Sequence, residues 1–553
     1  MPIRPHRSLR RRWTARPQHT HGRQHTHCPQ HTHRPQHTHR PIARLAAAAL
    51  AVSLVAVLGA CSPLSFLPHN NSGSSMTSTP AAEQVPADLK QYYGQTITWT
   101  PCNKTMQCTS ATAPLDWAHP TEGTIKLALI RQPAKGKKLG SLLVNPGGPG
   151  GSGYDFVKDS INYATDATLQ ANFDVVGFDP RGVGHSTAVK CYDAKQMDAY
   201  LYDITPGTPG SAPWIAAQTQ SSVAFGEACK ANTGALLSKV DTISAAKDLD
   251  LLRAVLGDKK LNYLGYSYGT YLGATYADLF PGKTGRLVLD GALDPAASNF
   301  EVTKVQSEGF ESALRAYLKD CLANNKKCPF TGTVASGMTT IANLIASVQA
   351  SPIRNSDGRE LGANTLVTAI IYPLYDATAW SYLSDMFTSV MQGDASYAFQ
   401  LADGYNGRNT TTGQYQDNST EAFMAINCLD YTYNDDPAVM QAQAAQLAAA
   451  APVIGPYMAY GDIGCANWPY TTTVKRGPIH ADGSAPILVV GTTNDPATPY
   501  VWAQNLSKEL RNGHLITYRG QGHTAYNKSN SCVNNAVDDF FVKGTVPKTD
   551  PMC

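Results

Sequence analysis

Apolar and polar positions alternate in short blocks along the first half of the chain, and then the rhythm changes. Apolar runs of three to six residues occur at 125–130, 142–144, 174–178, 261–264 and 286–289. Runs this short, bounded by turn residues, predict buried strands. The stretch 241–256 has helical spacing and leads into the run at 261–264. Strands alternating with helices predict an α/β fold with a mostly parallel central sheet and helices on both faces. From about residue 300 the pattern becomes helical, with Ala- and Gln-rich stretches such as 440–451, and strand-like runs return at 486–490 and 516–518. The expected layout is a split core, 90–300 and 481–553, with a mainly helical cap inserted at 301–480.

The run at 261–264 leads into Gly265-Tyr266-Ser267-Tyr268-Gly269, a G-x-S-x-G pentapeptide, and then into the helix-compatible stretch 270–277. A serine on such a strand-to-helix turn sits in strained backbone with its hydroxyl exposed at the top of the sheet. Ser267 is the candidate nucleophile. The run at 486–490 is followed by Asp495-Pro496, and the run at 516–518 by Gly520-Gln521-Gly522-His523. An aspartate past one strand end can orient a histidine past the next. The order Ser267, Asp495, His523 is that of α/β-hydrolases and differs from the other serine-protease folds. Asp290, which ends the run at 286–289, ranks second as the acid and is otherwise expected to be structural. Asp179 and Arg181 are expected to pair and fix a loop over the site.

A tetrahedral intermediate needs backbone N–H groups aimed at its oxyanion. One donor is expected from Tyr268, which follows the nucleophile. The other is expected from Asn145-Pro146-Gly147-Gly148-Pro149-Gly150-Gly151-Ser152-Gly153, with Gly148 first and Gly147 second. This segment is not a P-loop, because no Gly-Lys-Ser/Thr follows. It is a poor dinucleotide fingerprint, since prolines interrupt it and no helix start is obvious.

Together with Gly177-Phe178-Asp179-Pro180-Arg181-Gly182-Val183-Gly184-His185-Ser186, Asp495-Pro496-Ala497-Thr498-Pro499 and Gly522-His523-Thr524, these motifs give the chain a specific resemblance. It resembles the secreted tripeptidyl aminopeptidases of actinomycetes, in the prolyl-iminopeptidase-like branch of the α/β-hydrolases, from about residue 90 to the C-terminus. The resemblance implies an α/β-hydrolase fold and a serine peptidase that releases tripeptides from free N-termini. Relatives in this branch include esterases, so a carboxylesterase or lipase with the same triad is the alternative. A surface-binding lipoprotein without catalysis is the remote one, and the intact triad argues against it.

The overall charge of +3 changes once the N-terminus is set aside. Residues 1–60 hold ten Lys and Arg and no acid, which leaves 35 basic against 42 acidic residues, a net charge of about −7. The remainder gives no case for nucleic-acid binding. Residues 17–40 repeat a Pro-Gln-His-Thr-His-Arg hexamer, a low-complexity tract. Residues 45–60 are mostly apolar and too short for a comfortable membrane span. They end in Leu58-Gly59-Ala60-Cys61, which resembles a lipobox and makes Cys61 the candidate lipidation site. The segment 61–89 is expected to be a flexible tether, so the membrane partner is reached through a lipid anchor only. Export fits the cysteines. Without Cys28 and Cys61, ten of the twelve remain. Proximity pairs them as Cys102–Cys108, Cys191–Cys229, Cys321–Cys328, Cys428–Cys465 and Cys532–Cys553. No C-x-x-C pair suggests zinc, and the chemistry calls for no metal or organic cofactor. The sequence carries no signal for an oligomeric state.

An aminopeptidase must also hold a cationic amine, so a carboxylate is expected at a blind end of the cleft. The cap offers Glu308, Glu311, Asp430 and Asp435. Asp430 is the first choice because Cys428 could fix it in place.

Overall fold

The computed structural model describes residues 76–553. The repeat, the apolar segment, Cys28 and Cys61 lie outside the described residues. Ten strands form one sheet: β1 (Met76–Thr77), β2 (Thr98–Asn103), β3 (Met106–Pro114), β4 (Thr124–Gln132), β5 (Gly140–Asn145), β6 (Phe173–Phe178), β7 (Leu261–Tyr266), β8 (Thr284–Asp290), β11 (Ile487–Asn494) and β12 (Gly513–Gln521), with a small separate ribbon of β9 (Ile353–Arg354) and β10 (Glu360–Leu361) between them in sequence. The order across the sheet is β1-β2-β3-β4-β6-β5-β7-β8-β11-β12. From β6 to β12 every pairing is parallel, and the β1–β4 edge is antiparallel up to β6. This is the α/β-hydrolase architecture.

Successive side chains on a strand point to opposite faces, and the sheet separates two cores accordingly. Leu287 and Leu289 join one cluster while Val288 joins the other, and Ile487 and Val489 part from Leu488 and Val490 in the same way. Helices α1 (Gly153–Ala164), α2 (Thr242–Val255) and α3 (Tyr268–Leu279) connect the early strands. Leu249 and Leu252 of α2 and Leu272 and Ala274 of α3 cover one face, and Val157 of α1 covers the other. The inserted segment contains α4 (Asn299–Asn324), α5 (Ala363–Leu374), α6 (Ser396–Tyr405) and α7 (Ser419–Asp430), among others. It builds a third cluster around Phe310, Leu314, Ile341, Leu366, Ile370 and Phe387. Two core helices follow it, α8 (Tyr500–Glu509) and α9 (Ser531–Lys543).

Three expectations need correction. The segment 61–89 is not a tether over its described part. Met76 pairs with Trp99, the Ala81 amide donates to the Ala254 carbonyl at 2.8 Å, and Glu83 bonds Arg253 at 2.8 Å. The glycine-rich segment does start a helix, because Ser152 caps α1 by accepting the Asp155 amide at 2.9 Å. Asp179 and Arg181 do not pair. Arg181 forks onto Asp248 through two bonds of 2.7 Å, and Asp179 accepts the Ser152 hydroxyl at 2.7 Å and the Tyr154 and His185 amides.

Among the described residues, the five cysteine pairs expected from proximity are at disulfide distance: Cys102–Cys108, Cys191–Cys229, Cys321–Cys328, Cys428–Cys465 and Cys532–Cys553. Among the described residues, no helix is long and apolar enough to cross a membrane.

Candidate active site

Strands β7, β8, β11 and β12 are neighbours and parallel, so their C-terminal ends share one edge of the sheet, where ligands of open α/β sheets bind. Ser267 follows β7, Asp290 ends β8, Asp495 follows β11 and His523 follows β12. The sequence therefore delivers its candidate residues to one edge through separate loops.

Ser267 has φ +56° and ψ −125°, a strained combination for a residue with a Cβ. Its amide donates to the Asp290 carbonyl at 2.9 Å. Glycine is required beside it. A Cβ on Gly265 would lie 2.4 Å from the Gly269 carbonyl oxygen, so only glycine lets strand and helix approach this closely. The oxyanion loop presses equally close. A Cβ on Gly147 would stand 2.8 Å from the Ser267 Cβ and 3.0 Å from the Tyr268 nitrogen. The Gly147 amide donates to Asn145 Oδ1 at 2.9 Å, so it is already engaged. Among the described residues, neither the Gly148 nor the Tyr268 amide meets an acceptor.

The His523 Nδ1 lies 2.9 Å from each oxygen of Asp495 and 3.1 Å from the Thr498 hydroxyl. With Nδ1 turned to the acid, Nε2 is the nitrogen left for a reacting group. Asp495 is buried and also accepts the amides of Ala497, Thr498 and Thr524 and the Thr498 hydroxyl. Burial alone would raise its pKa. The facing imidazole and these donors outweigh burial and hold the carboxyl below the usual aspartate range. Asp290 is buried too, but it accepts the Ala525 and Tyr526 amides at 2.8–3.0 Å and does not bond the imidazole. Burial pushes its carboxyl up. Its place is to hold the turn after His523. Gly291, the next residue, is so near that a Cβ there would stand 3.3 Å from His523 Cε1.

The inserted segment completes the site. The His523 amide donates to the Tyr375 carbonyl at 2.8 Å, just past the end of α5, and the Tyr375 ring meets the imidazole edge-on at 5.5 Å. Tyr372 and Tyr405 continue this aromatic row outward and are both nearly half exposed. On the other side, α7 packs against the oxyanion loop, where a Cβ on Gly150 would lie 2.5 Å from the Ser419 carbonyl oxygen.

Of the amine-binding candidates, Asp430 must be corrected. It is 1% exposed, and its two oxygens accept the Thr242 amide at 2.9 Å and the Thr242 hydroxyl at 2.5 Å. A substrate amine has no route to it. Glu311 is also withdrawn, because it is buried against the Val453 and Ile454 amides. Asp435 accepts from Asn467 at 3.1 Å. Glu308 pairs with Lys304 at 2.6 Å and keeps 42% of its side chain exposed. The turn of α4 that carries it rests on the acid loop: Gln306 donates to the Ala497 carbonyl, and a Cβ on Gly309 would lie 2.5 Å from the Pro496 oxygen.

Sequence reasoning missed Thr498, Tyr375 and Thr242. Thr498 stands three residues after Asp495, the spacing of a side chain that bonds back to its own turn, and that signal was readable. A cavity of about 820 Å³ opens elsewhere, between the segment around Trp214 and the start of α5. Ser267, Asp495 and His523 do not line it.

The chain is similar to known proteins over most of its length. The family model described as "TAP-like protein" matches residues 451–553. Serine protease Hip1 of Mycobacterium tuberculosis is 34% identical over 485 residues, covering 83% of this chain and 91% of the relative. Carboxylesterase B of the same organism is 36% identical over 460 residues, covering 81% and 86%. A tripeptidyl aminopeptidase of Streptomyces lividans is 31% identical over 471 residues, covering 83% and 86%. The chain belongs to the tripeptidyl aminopeptidase-like family. This TAP-like protein is accordingly a serine hydrolase of the α/β-hydrolase class. The family model reaches from the end of the inserted segment through both Asp495 and His523.

Proposed function

We propose that this serine hydrolase is an exported aminopeptidase that releases short peptides, tripeptides first among them, from free N-termini. The observation that carries the chemistry is His523, whose Nδ1 is held by both oxygens of Asp495 beside the strained Ser267 turn. In this reading His523 Nε2 takes the Ser267 proton as the oxygen attacks the substrate carbonyl. The Tyr268 and Gly148 amides stabilise the oxyanion. His523 then protonates the leaving amine, and Asp495 keeps the imidazole in its tautomer. Water repeats the sequence on the acyl-enzyme. The Gly147 amide, engaged by Asn145, leaves Gly148 as the loop donor.

Glu308 is the carboxylate proposed to meet the substrate amine, on the α4 turn that rests against the acid loop. Cys61 is proposed to carry a lipid anchor on the outer face of the membrane. Metabolic palmitate labelling that persists in Cys61→Ser would overturn that anchor. The peptidase reading is tested with an unblocked tripeptide anilide and its acetylated form. The free form is expected to turn over at least tenfold faster, and equal rates would remove the amine pocket. A second reading, a carboxylesterase, is favoured by the carboxylesterase B relative. Faster turnover of p-nitrophenyl acyl esters than of any peptide anilide would establish it instead.

A further inference from the structure

Asp430 lies buried behind the nucleophile turn, too far inside to meet substrate, yet its hydrogen bonds lead to the site. The Thr242 hydroxyl has one hydrogen and donates it to Asp430 Oδ2 at 2.5 Å. The Tyr268 hydroxyl lies 2.5 Å from the same Thr242 oxygen and must therefore be the donor there. The chain runs Tyr268 to Thr242 to Asp430, all three buried. Tyr268 is the residue whose amide faces the oxyanion. Asp430 also ends α7, the helix whose first turn packs on Gly150 of the other donor loop. Asn418 just before α7 bonds the Gly184 amide at 2.8 Å, and Glu421 in its first turn accepts the Cys191 and Tyr192 amides. One inserted helix, about 18 Å long at ~1.5 Å per residue, is thus tied to the core along its length and touches the supports of both oxyanion donors.

We propose that Asp430 and Thr242 are positioning residues for the oxyanion hole, acting through the Tyr268 side chain to fix the Tyr268 amide. This rests on the reading of Ser267 as the nucleophile. The direction of the hydroxyl chain matters. An ionised Asp430 can only accept, which orders Thr242 and then Tyr268. A protonated Asp430 gains a donor of its own and can give it to Thr242. The Thr242 hydrogen then turns to Tyr268, and the buried phenol loses its acceptor. Burial pushes the Asp430 carboxyl up to about 7; Asp241 adds to this, and the Thr242 donors and Arg476 oppose it. The phenols of Tyr268, Tyr271, Tyr431 and Tyr433 also feel its charge.

The test measures the rate constant of inactivation by a fluorophosphonate, which needs nucleophile and oxyanion hole but no particular substrate, alongside kcat and KM on the best reporter. Thr242→Val and Tyr268→Phe are each expected to lower kcat and inactivation about tenfold at pH 8 with KM within twofold. Thr242→Ser should recover most of the loss. The double variant should be no worse than the worse single one. Wild type over Thr242→Val should shrink from about tenfold at pH 8 to below twofold at pH 5.5, because a protonated Asp430 no longer orders the chain in wild type, while losses common to both proteins cancel in the ratio. Rates within twofold of wild type for both single variants would overturn the proposal. So would multiplicative losses in the double variant, a Thr242→Ser loss as large as that of Thr242→Val, or a ratio that does not change with pH. If Thr242→Val does not fold, Tyr268→Phe alone carries the rate and pH arms. Ser267→Ala is the separate control. If it still reacts with the probe, the nucleophile reading fails; if it is inert while the other variants behave as wild type, only this proposal fails.

Discussion

Two buried aspartates, one in the C-terminal core segment and one in the inserted cap, face opposite fates. Asp495 collects an imidazole, three amides and a hydroxyl and is held below the usual carboxylate range. Asp430 receives only the amide and hydroxyl of Thr242 and is pushed up to about 7. Their burial is nearly the same. The number and charge of the donors decide how firmly each carboxyl is held as an anion: Asp495 stays ionised beside the imidazole, while Asp430 is an anion that orders hydroxyls only above its raised pKa.

The sharpest way to break this comparison is to neutralise the acids in turn. Asp495→Asn is expected to lower kcat about 10,000-fold by disturbing the histidine tautomer. Asp290→Asn should cost far less, about tenfold, because Asp290 bonds backbone amides and not the imidazole. Similar losses in the two would return Asp290 to contention as the acid. Next comes Thr498→Val. A hydrogen bond to a charged group contributes about 1.5–3 kcal/mol, and Asp495 keeps its other donors, so roughly a tenfold fall in kcat is expected. Unchanged steady-state kinetics would show that the hydroxyl adds nothing.

The smallest effect is on stability, and its sign differs between the two aspartates. Asp430 has a raised pKa, so the folded chain keeps a proton that the unfolded chain releases above about pH 4. Its contribution is full below about pH 4 and is lost as pH rises through about 7. Asp495 has a lowered pKa, so its contribution is present above the ordinary aspartate range and is lost as pH falls through its folded value. Melting temperatures of Asp430→Asn and Asp495→Asn, each relative to wild type, should therefore drift in opposite directions between pH 3 and pH 8. Parallel drifts would refute the contrast.

The triad loops could be read in the sequence because each hangs on a short apolar strand and carries its own local marks, glycines at 265 and 269 or a proline after Asp495. The antiparallel edge was harder to see. Residues 98–114 mix threonines, prolines and cysteines with few apolar positions, and only Trp99, Met106, Ala111, Ala113 and Pro114 among them are buried. Long-range partners were beyond reach. Arg181 pairs with Asp248 and Thr242 with Asp430, residues 67 and 188 positions apart, so packing and not spacing chose them. The same reason defeated the amine-pocket choice of Asp430. A carboxylate near a disulfide in a helical insertion looks equally available whether it faces a cleft or a core.

The carbonyl of Tyr375 has a wider bearing. Because the backbone of His523 is anchored to the end of an inserted helix, the insertion is not an accessory that can be traded between relatives without touching the chemistry. A cap transplanted from another family member must reproduce one backbone oxygen, at 2.8 Å from the histidine amide, or leave the proposed general base loosely tethered. Diversification of this protein would then proceed along the exposed aromatic rim of Tyr372 and Tyr405, with α5 itself kept in place.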